Sequence, residues 1–138
     1  MIFGYSIPAY GMYVRHVKNL VLENFSYNLL RPDARPAIFL DDCHHIRLRN
    51  FDADLPTNEQ PLVRIMESTD VTISGYQSIQ SVANFLRVEG KGCSDIKLTG
   101  NDFSRVKEIV SYRDGSSETA VKMLSNFQGR GTIPTAEK

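Results

Sequence analysis

Two carboxylates, a thiol and two imidazoles stand close together in the segment Phe39-Leu-Asp-Asp-Cys-His-His45. Paired aspartates can act as the acid and the base of a hydrolytic reaction, and cysteine with histidine can bind zinc. The same residue types also suit a solvent-exposed turn that does no chemistry. Which interpretation applies depends on the elements that position the segment.

The composition is that of a single domain with a substantial core. The chain has 138 residues, of which 41% are apolar and 23% charged, and its formal net charge is 0. This balance argues against disorder and gives no electrostatic reason to expect a nucleic acid or an anionic membrane as partner. No apolar run approaches the ~20 residues of a membrane span. We predict no nucleic-acid partner, no membrane partner and no cofactor.

Self-similarity at a period of about 25 residues is the clearest feature of the chain. Five segments share an apolar-x-apolar core, and their first residues are separated by 26, 25, 25 and 25 positions. They are Leu20-Val-Leu22, Ile46-Arg-Leu48, Val71-Thr-Ile73, Ile96-Lys-Leu98 and Val121-Lys-Met123. A second strand-like segment precedes each of the first four: Met12-Tyr-Val14, Ile38-Phe-Leu40, Val63-Arg-Ile65 and Leu86-Arg-Val88.

Short strands and polar turns at this period are typical of a parallel β-solenoid, whose coils stack ~4.8 Å apart with like residues above like. We predict an all-β, right-handed parallel β-helix of four to five coils over residues 11–127, with a lead-in or cap at 1–10 and a flexible tail at 128–138. The fifth coil, around Ile109 to Tyr112, is degenerate. The predicted inward stacks are Met12/Ile38/Val63/Leu86 and Leu22/Leu48/Ile73/Leu98/Met123, with an aromatic ladder of Phe25, Phe51 and Tyr76.

Stacking the coils places the opening segment at a turn between sheets. Residues 15–19 align with 41–45 and 66–70, so Asp41 points outward one coil above Arg15 and suits a surface ion pair worth ~0–1 kcal/mol. Cys43 and Cys93 fall in like slots two coils apart, ~10 Å, which is too far for a zinc site or a disulfide. We therefore predict two free thiols and no metal site, with the Asp and His side chains of the segment in a solvated turn.

Two longer runs carry a family resemblance. Tyr10-Gly-Met-Tyr-Val-Arg-His-Val-Lys-Asn-Leu-Val-Leu-Glu-Asn24, followed by Arg31-Pro-Asp-Ala-Arg-Pro-Ala-Ile-Phe-Leu-Asp-Asp42, resembles the C-terminal coils of the polygalacturonase family of glycoside hydrolases, over roughly residues 3–105. The resemblance implies a pectin-lyase-like β-helix, a pectic or other acidic polysaccharide as substrate class, and an extracytoplasmic (periplasmic or secreted) location.

The resemblance also implies inverting hydrolysis, in which one carboxylic acid protonates the leaving oxygen and a second carboxylate activates water. The family uses three aspartates from an Asn-Thr-Asp and an Asp-Asp motif, beside Gly-His-Gly and Arg-Ile-Lys segments. This sequence has no Asn-Thr-Asp and no Gly-His-Gly, and Arg64-Ile-Met66 matches the last segment only in part. Asp41 and Asp42 are the candidate catalytic residues, and we expect little or no hydrolysis from the chain by itself.

Two classes of function remain open. The first is a glycoside-hydrolase-type protein that binds glycan or completes a site with another chain. The second is a catalytically silent solenoid that serves assembly or stability. A polysaccharide lyase would require a carboxylate cluster for Ca²⁺ beside a basic residue, which the register does not provide. Candidate substrate-binding residues are Tyr13, Arg15, His16, Phe39 and Arg64, and cross-coil packing is the competing interpretation of the two aromatic side chains.

The ends of a solenoid expose unpaired strand groups, which favours association. The ten residues before the first coil are rich in apolar side chains without helical spacing, among them Phe3. They can cover the first coil only in part. We therefore predict association through the N-terminal face, either with a second copy as a homo-oligomer or with preceding coils of a longer chain.

Overall fold

The computed structural model describes residues 7–129, which contain twelve strands and one short 3₁₀ helix, Glu118–Ala120. The strands are β1 (Met12–Arg15), β2 (Lys18–Tyr27), β3 (Ile38–Asp41), β4 (His44–Ala53), β5 (Val63–Met66), β6 (Thr69–Ser74), β7 (Val82–Glu89), β8 (Ser94–Thr99), β9 (Asp102–Phe103), β10 (Val106–Arg113), β11 (Val121–Leu124) and β12 (Phe127–Gln128). Within this part of the chain no helix is long and apolar enough to cross a membrane.

The strands form a parallel β-solenoid of about five turns with about 25 residues per turn, so the predicted fold class is confirmed. The first sheet has the order β1-β3-β5-β7-β10, and the second has the order β2-β4-β6-β8-β11. A short third sheet pairs β9 with β12. Each strand pairs in parallel with its equivalent one coil away, as in the alignment of Leu20 with Ile46 and of Ile46 with Val71.

Alternating side chains of both sheets fill the space between them. Ile46, Leu48, Val71 and Ile73 have no solvent exposure, and the predicted inward stacks are present in the register. On the first sheet the stack continues beyond Leu86 to Val110. The fifth coil, which matches the repeat poorly in sequence, therefore still forms an eight-residue strand, because its apolar residues keep the inward positions.

The predicted aromatic ladder is present at one corner of the solenoid. The rings of Phe25 and Phe51 stack with centroids 5.2 Å apart, and Tyr76 follows Phe51 at 5.5 Å. In the last two coils the same slot holds Asn101 and Asn126. The Asn101 amide accepts a hydrogen bond from the Tyr76 N–H at 2.9 Å, so hydrogen bonds take over where ring stacking ends.

The polar residues at the second position of four strands of the second sheet are explained by their backbone conformation. Asn19, His45, Asp70 and Asp95 occupy equivalent positions and have φ values of 64°, 63°, 55° and 56°. Asn, Asp and His tolerate this left-handed region better than branched or bulky residues. A ladder of left-handed residues thus turns the chain at the same point in the first four coils.

The first coil is less covered than the coils that follow it. Leu20 and Leu22 are partly exposed, whereas Ile46 and Leu48 in the next coil are fully buried. The predicted lead-in is described only from Ile7, and the predicted tail only as far as Gly129, so Phe3 lies outside the described residues. Association through the N-terminal face stays a prediction.

Candidate functional site

The outward side of the first sheet brings most of the candidate binding residues together. We call it the arginine face, and it consists of two columns that cross the coils. In the register they are Tyr13, Phe39, Arg64, Arg87 and Ser111 in one column and Arg15, Asp41, Met66, Glu89 and Arg113 in the other.

Aromatic rings form the N-terminal end of the arginine face. The rings of Tyr13 and Phe39 lie with centroids 5.3 Å apart, and the guanidinium of Arg64 lies 4.1 Å from the Phe39 ring centroid. These two neighbours leave Phe39 only 4% exposed, while Tyr13 keeps 37%. Tyr13 therefore presents the ring that a ligand can reach, and Phe39 supports it from below through packing and a cation–π contact.

Both carboxylates of the arginine face form ion pairs with arginines. Arg15 lies 3.5 Å from Asp41, which matches the predicted ion pair, and the Tyr13 hydroxyl donates to the same carboxylate at 3.4 Å. Arg64 donates from Nε and Nη2 to Glu89 at 2.6 and 2.9 Å. The second pair is well buried, since the Glu89 side chain is 6% exposed.

Two further arginines of the face have no carboxylate partner among residues 7–129. Arg87 and Arg113 form no ion pair there, and the buried Nε of Arg87 has no hydrogen-bond acceptor. Burial lowers the pKa of Arg87, and the neighbouring positive charge of Arg113 lowers it further. The sequence interpretation did not single out Arg87, Glu89 or Arg113. Extending the column of Tyr13, Phe39 and Arg64 by one coil would have pointed to Arg87.

Asp42 belongs to a separate network at the turn next to the arginine face. Its carboxylate contacts Nδ1 of His16 at 2.7 Å and Nε2 of His44 at 2.9 Å, and His44 Nδ1 lies 2.7 Å from the Thr69 hydroxyl. The hydrogen bond with His44, and then that with His16, lowers the pKa of Asp42. The side chains of Asp41 and Asp42 thus serve different partners.

This arrangement bears on the two candidate catalytic aspartates. A general acid in glycoside hydrolysis needs a carboxyl group that stays protonated near neutral pH, which requires a raised pKa. The lowered pKa of Asp42 suits an acceptor of hydrogen bonds from histidine instead. Asp41 holds Arg15 and Tyr13 in place at the edge of the arginine face.

The thiols of the opening segment and its later counterpart are buried. Cys43 and Cys93 are both free, and burial raises the pKa of each thiol above its ordinary value. The intervening coil places Ser68 between them, where its hydroxyl accepts from the Cys43 N–H at 2.9 Å. No group of three or more His, Cys, Asp or Glu side chains suited to a metal ion occurs in the described part of the chain.

Comparison of the chain with protein-family models, curated proteins and solved structures found no match.

Proposed function

We propose that this chain is a β-helix of the polygalacturonase type of glycoside hydrolase, and that it holds an acidic, pectin-like polysaccharide on the arginine face. The unequal charge of that face carries the proposal. Four arginines share it with two carboxylates, although the whole chain has a formal net charge of 0. Since both carboxylates are already paired, the remaining positive charge is free to attract an anionic polymer.

The opposite side of the solenoid pairs three of its basic residues and leaves Lys18 and Lys122 without an ion pair among residues 7–129. On the second sheet Arg47 lies 3.2 Å from Asp70, Lys97 lies 3.3 Å from Asp95, and Arg49 lies 4.0 Å from Glu23. Acidic residues of the turn ladder supply two of these partners. Three of the five lysine and arginine side chains on the second sheet are thus paired, against two of the four arginines on the arginine face.

The shape of the arginine face also fits an extended polymer. Equivalent positions recur once per coil, ~4.8 Å apart, so an extended chain laid across the coils meets one side chain of each column in every coil. The exposed ring of Tyr13 supplies an apolar surface for a sugar ring at one end. Arg113, at the other end, supplies a planar donor group for a carboxylate.

In this proposal the chain binds polysaccharide and does not cleave it alone. Asp41 and Asp42 are the only paired aspartates in the sequence, and each is engaged by other side chains in the structure. Inverting hydrolysis needs two carboxyl groups ~6.5–9.5 Å apart on opposite sides of the glycosidic bond. Residues from another polypeptide segment would supply the missing acid. The resemblance to polygalacturonases favours an extracytoplasmic setting for this role.

Two assays on the purified chain test the proposal. In the first, the chain is passed through a gel that contains polygalacturonate, and we expect retardation relative to a gel that contains neutral dextran. In the second, reducing ends are measured after incubation with polygalacturonate, and we expect no release above that of buffer. Equal mobility in both gels would overturn the binding function. Release of reducing ends that Asp42→Asn abolishes would overturn the assignment of binding without cleavage.

A further inference from the structure

We propose that Arg87 and Arg113 form a carboxylate subsite, which takes the uronate group of one sugar residue of the bound polymer. This inference rests on the proposed function and assigns the position at which the protein binds a carboxylate of the ligand. It concerns residues outside the two runs on which the family resemblance depends.

Arg87 has a hydrogen-bonding capacity that the protein leaves unused. It is half-buried on β7, the fourth of the five strands of the first sheet, and its Nε–H has no acceptor among residues 7–129. A buried donor without a partner is uncommon in folded proteins, since it loses its hydrogen bond to water without replacement. Because Nε itself is buried, an external acceptor would reach the Nη end of the same guanidinium, which is only partly buried.

Two of the neighbouring acceptor groups, those of Glu89 and Asn84, are already occupied. Both carboxylate oxygens of Glu89 accept hydrogen bonds from Arg64. The Oδ1 atom of Asn84 accepts from the Ser111 hydroxyl at 3.2 Å, and the amide of Asn84 donates to the Glu108 carbonyl at 3.1 Å. These groups therefore bind one another, and the other carboxylate near Arg87 is that of Glu108, which forms no ion pair with it.

The electrostatic surroundings of Arg87 favour an anion. The positive charges of Arg113 and Arg64 both act on it, and the carboxylates of Glu89 and Glu108 offset them only in part. Arg113 is exposed, and its guanidinium forms no ion pair in the described structure. Two arginines with available N–H groups can donate hydrogen bonds to one carboxylate from two sides.

A carboxylate suits this position better than a neutral hydroxyl. The guanidinium group presents its donors in a planar fork, which matches the two oxygens of a carboxylate and forms charge-assisted hydrogen bonds. A lysine would keep the positive charge but lose the fork. The inference therefore separates two effects, the charge of the side chain and the geometry of its donors.

The test combines a local and a global measurement on the intact chain. Arginine Nε–H signals are followed by NMR while galacturonate or its methyl ester is added, and the affinity for a galacturonate oligomer is measured by calorimetry. We expect galacturonate, and not the ester, to shift the Arg87 signal. Arg87→Gln and Arg113→Gln should each weaken oligomer binding about tenfold. Arg87→Lys should weaken it less than Arg87→Gln does, because lysine keeps the charge. The control variant Arg49→Gln, on the second sheet, should change the affinity less than twofold.

The outcomes distinguish this inference from the function on which it rests. Oligomer binding that survives both Arg87→Gln and Arg113→Gln would overturn the subsite and leave the binding function standing. A shift of the Arg87 signal by free galacturonate without any oligomer binding would support an anion subsite and overturn the polysaccharide function. An equal response to galacturonate and its ester would overturn the subsite. The melting temperature of each variant shows whether a loss of binding reflects a loss of fold.

Discussion

Arg64 in the third coil holds the carboxylate of Glu89 in the fourth with two hydrogen bonds, 2.6 and 2.9 Å long. This contact runs diagonally across the register, because Arg64 is aligned with Arg87 and Glu89 is aligned with Met66. It gives the buried carboxylate to Arg64 and leaves Arg87 without one. The stability of the arginine face and the anion binding that we propose for it thus depend on the same pairing.

Removing the Glu89 carboxylate should destabilise the fold. Glu89→Gln leaves the guanidinium of Arg64 beside Arg87 without a counter-charge, and breaking a buried ion pair in this way costs about 3 kcal/mol. Glu23→Gln is the matched control, since Glu23 pairs with Arg49 at 4.0 Å on the exposed surface. That change should cost less than about 1 kcal/mol. Urea unfolding measures both, and equal costs would contradict the assigned role of the buried pair.

The middle coil should tolerate loss of core volume less well than the first coil. Leu48 has no solvent exposure, so Leu48→Ala should lower the free energy of unfolding by about 2–5 kcal/mol. The equivalent Leu22 is partly exposed, so Leu22→Ala should cost less than about 2 kcal/mol. Chemical denaturation of the two variants provides the comparison. A larger loss in the first coil would contradict the described difference in burial.

The stability of the fold should be sensitive to replacing the Asn101 amide group with a carboxylate. Its Nδ2 donates to the Ile73 carbonyl at 3.0 Å, and its Oδ1 accepts from the Tyr76 N–H. Asn101→Asp keeps the acceptor but removes the donor and places a carboxylate at a site that is 2% exposed. We expect a loss of at least about 2 kcal/mol at pH 7, and a smaller loss for Asn126→Asp, because Asn126 is less buried. Thermal unfolding of both variants measures the difference.

The two cysteines should behave as inert, unpaired thiols. Cys43 and Cys93 are buried, and burial raises the pKa of each, so little reactive thiolate is present at neutral pH. Labelling with a thiol reagent should be slow in the native protein and should reach two thiols per chain after unfolding without reductant. Finding no free thiol in the unfolded monomer would contradict the register that separates the two positions by two coils.

The fold was predictable because a solenoid repeats the same pattern of apolar and polar residues in each coil. The spacing of Leu20, Ile46 and Val71 already fixes which strands are neighbours, and like residues then stack on like. The third sheet was not predicted, since strands of two residues, such as Asp102–Phe103, are too short for any periodicity to show. The continuation of the first sheet into β10 depends on Val110, which stands in a segment that has lost the repeat pattern.

The candidate site was predictable only in part. Position in the repeat placed Tyr13, Phe39 and Arg64 in one column, and the structure brings them into contact. The burial of Phe39 beneath its neighbours is a matter of side-chain packing that alternation does not specify. The Nε–H of Arg87 has no acceptor among residues 7–129, and this depends on how Arg64 and Glu89 pair. A sequence pattern contains no information on that choice.

The central claim is that the arginine face, and not positive charge in general, binds acidic polysaccharide. Two double variants with equal changes in charge test it most directly. Arg87→Glu with Arg113→Glu reverses two charges on the first sheet. Lys97→Glu with Lys122→Glu reverses the charges of two neighbouring residues on the second sheet. The measurement is the affinity of each variant for a galacturonate oligomer, by calorimetry at fixed ionic strength. We predict that the first variant loses binding and the second keeps it to within about threefold. Equal affinity of the two variants would contradict the account.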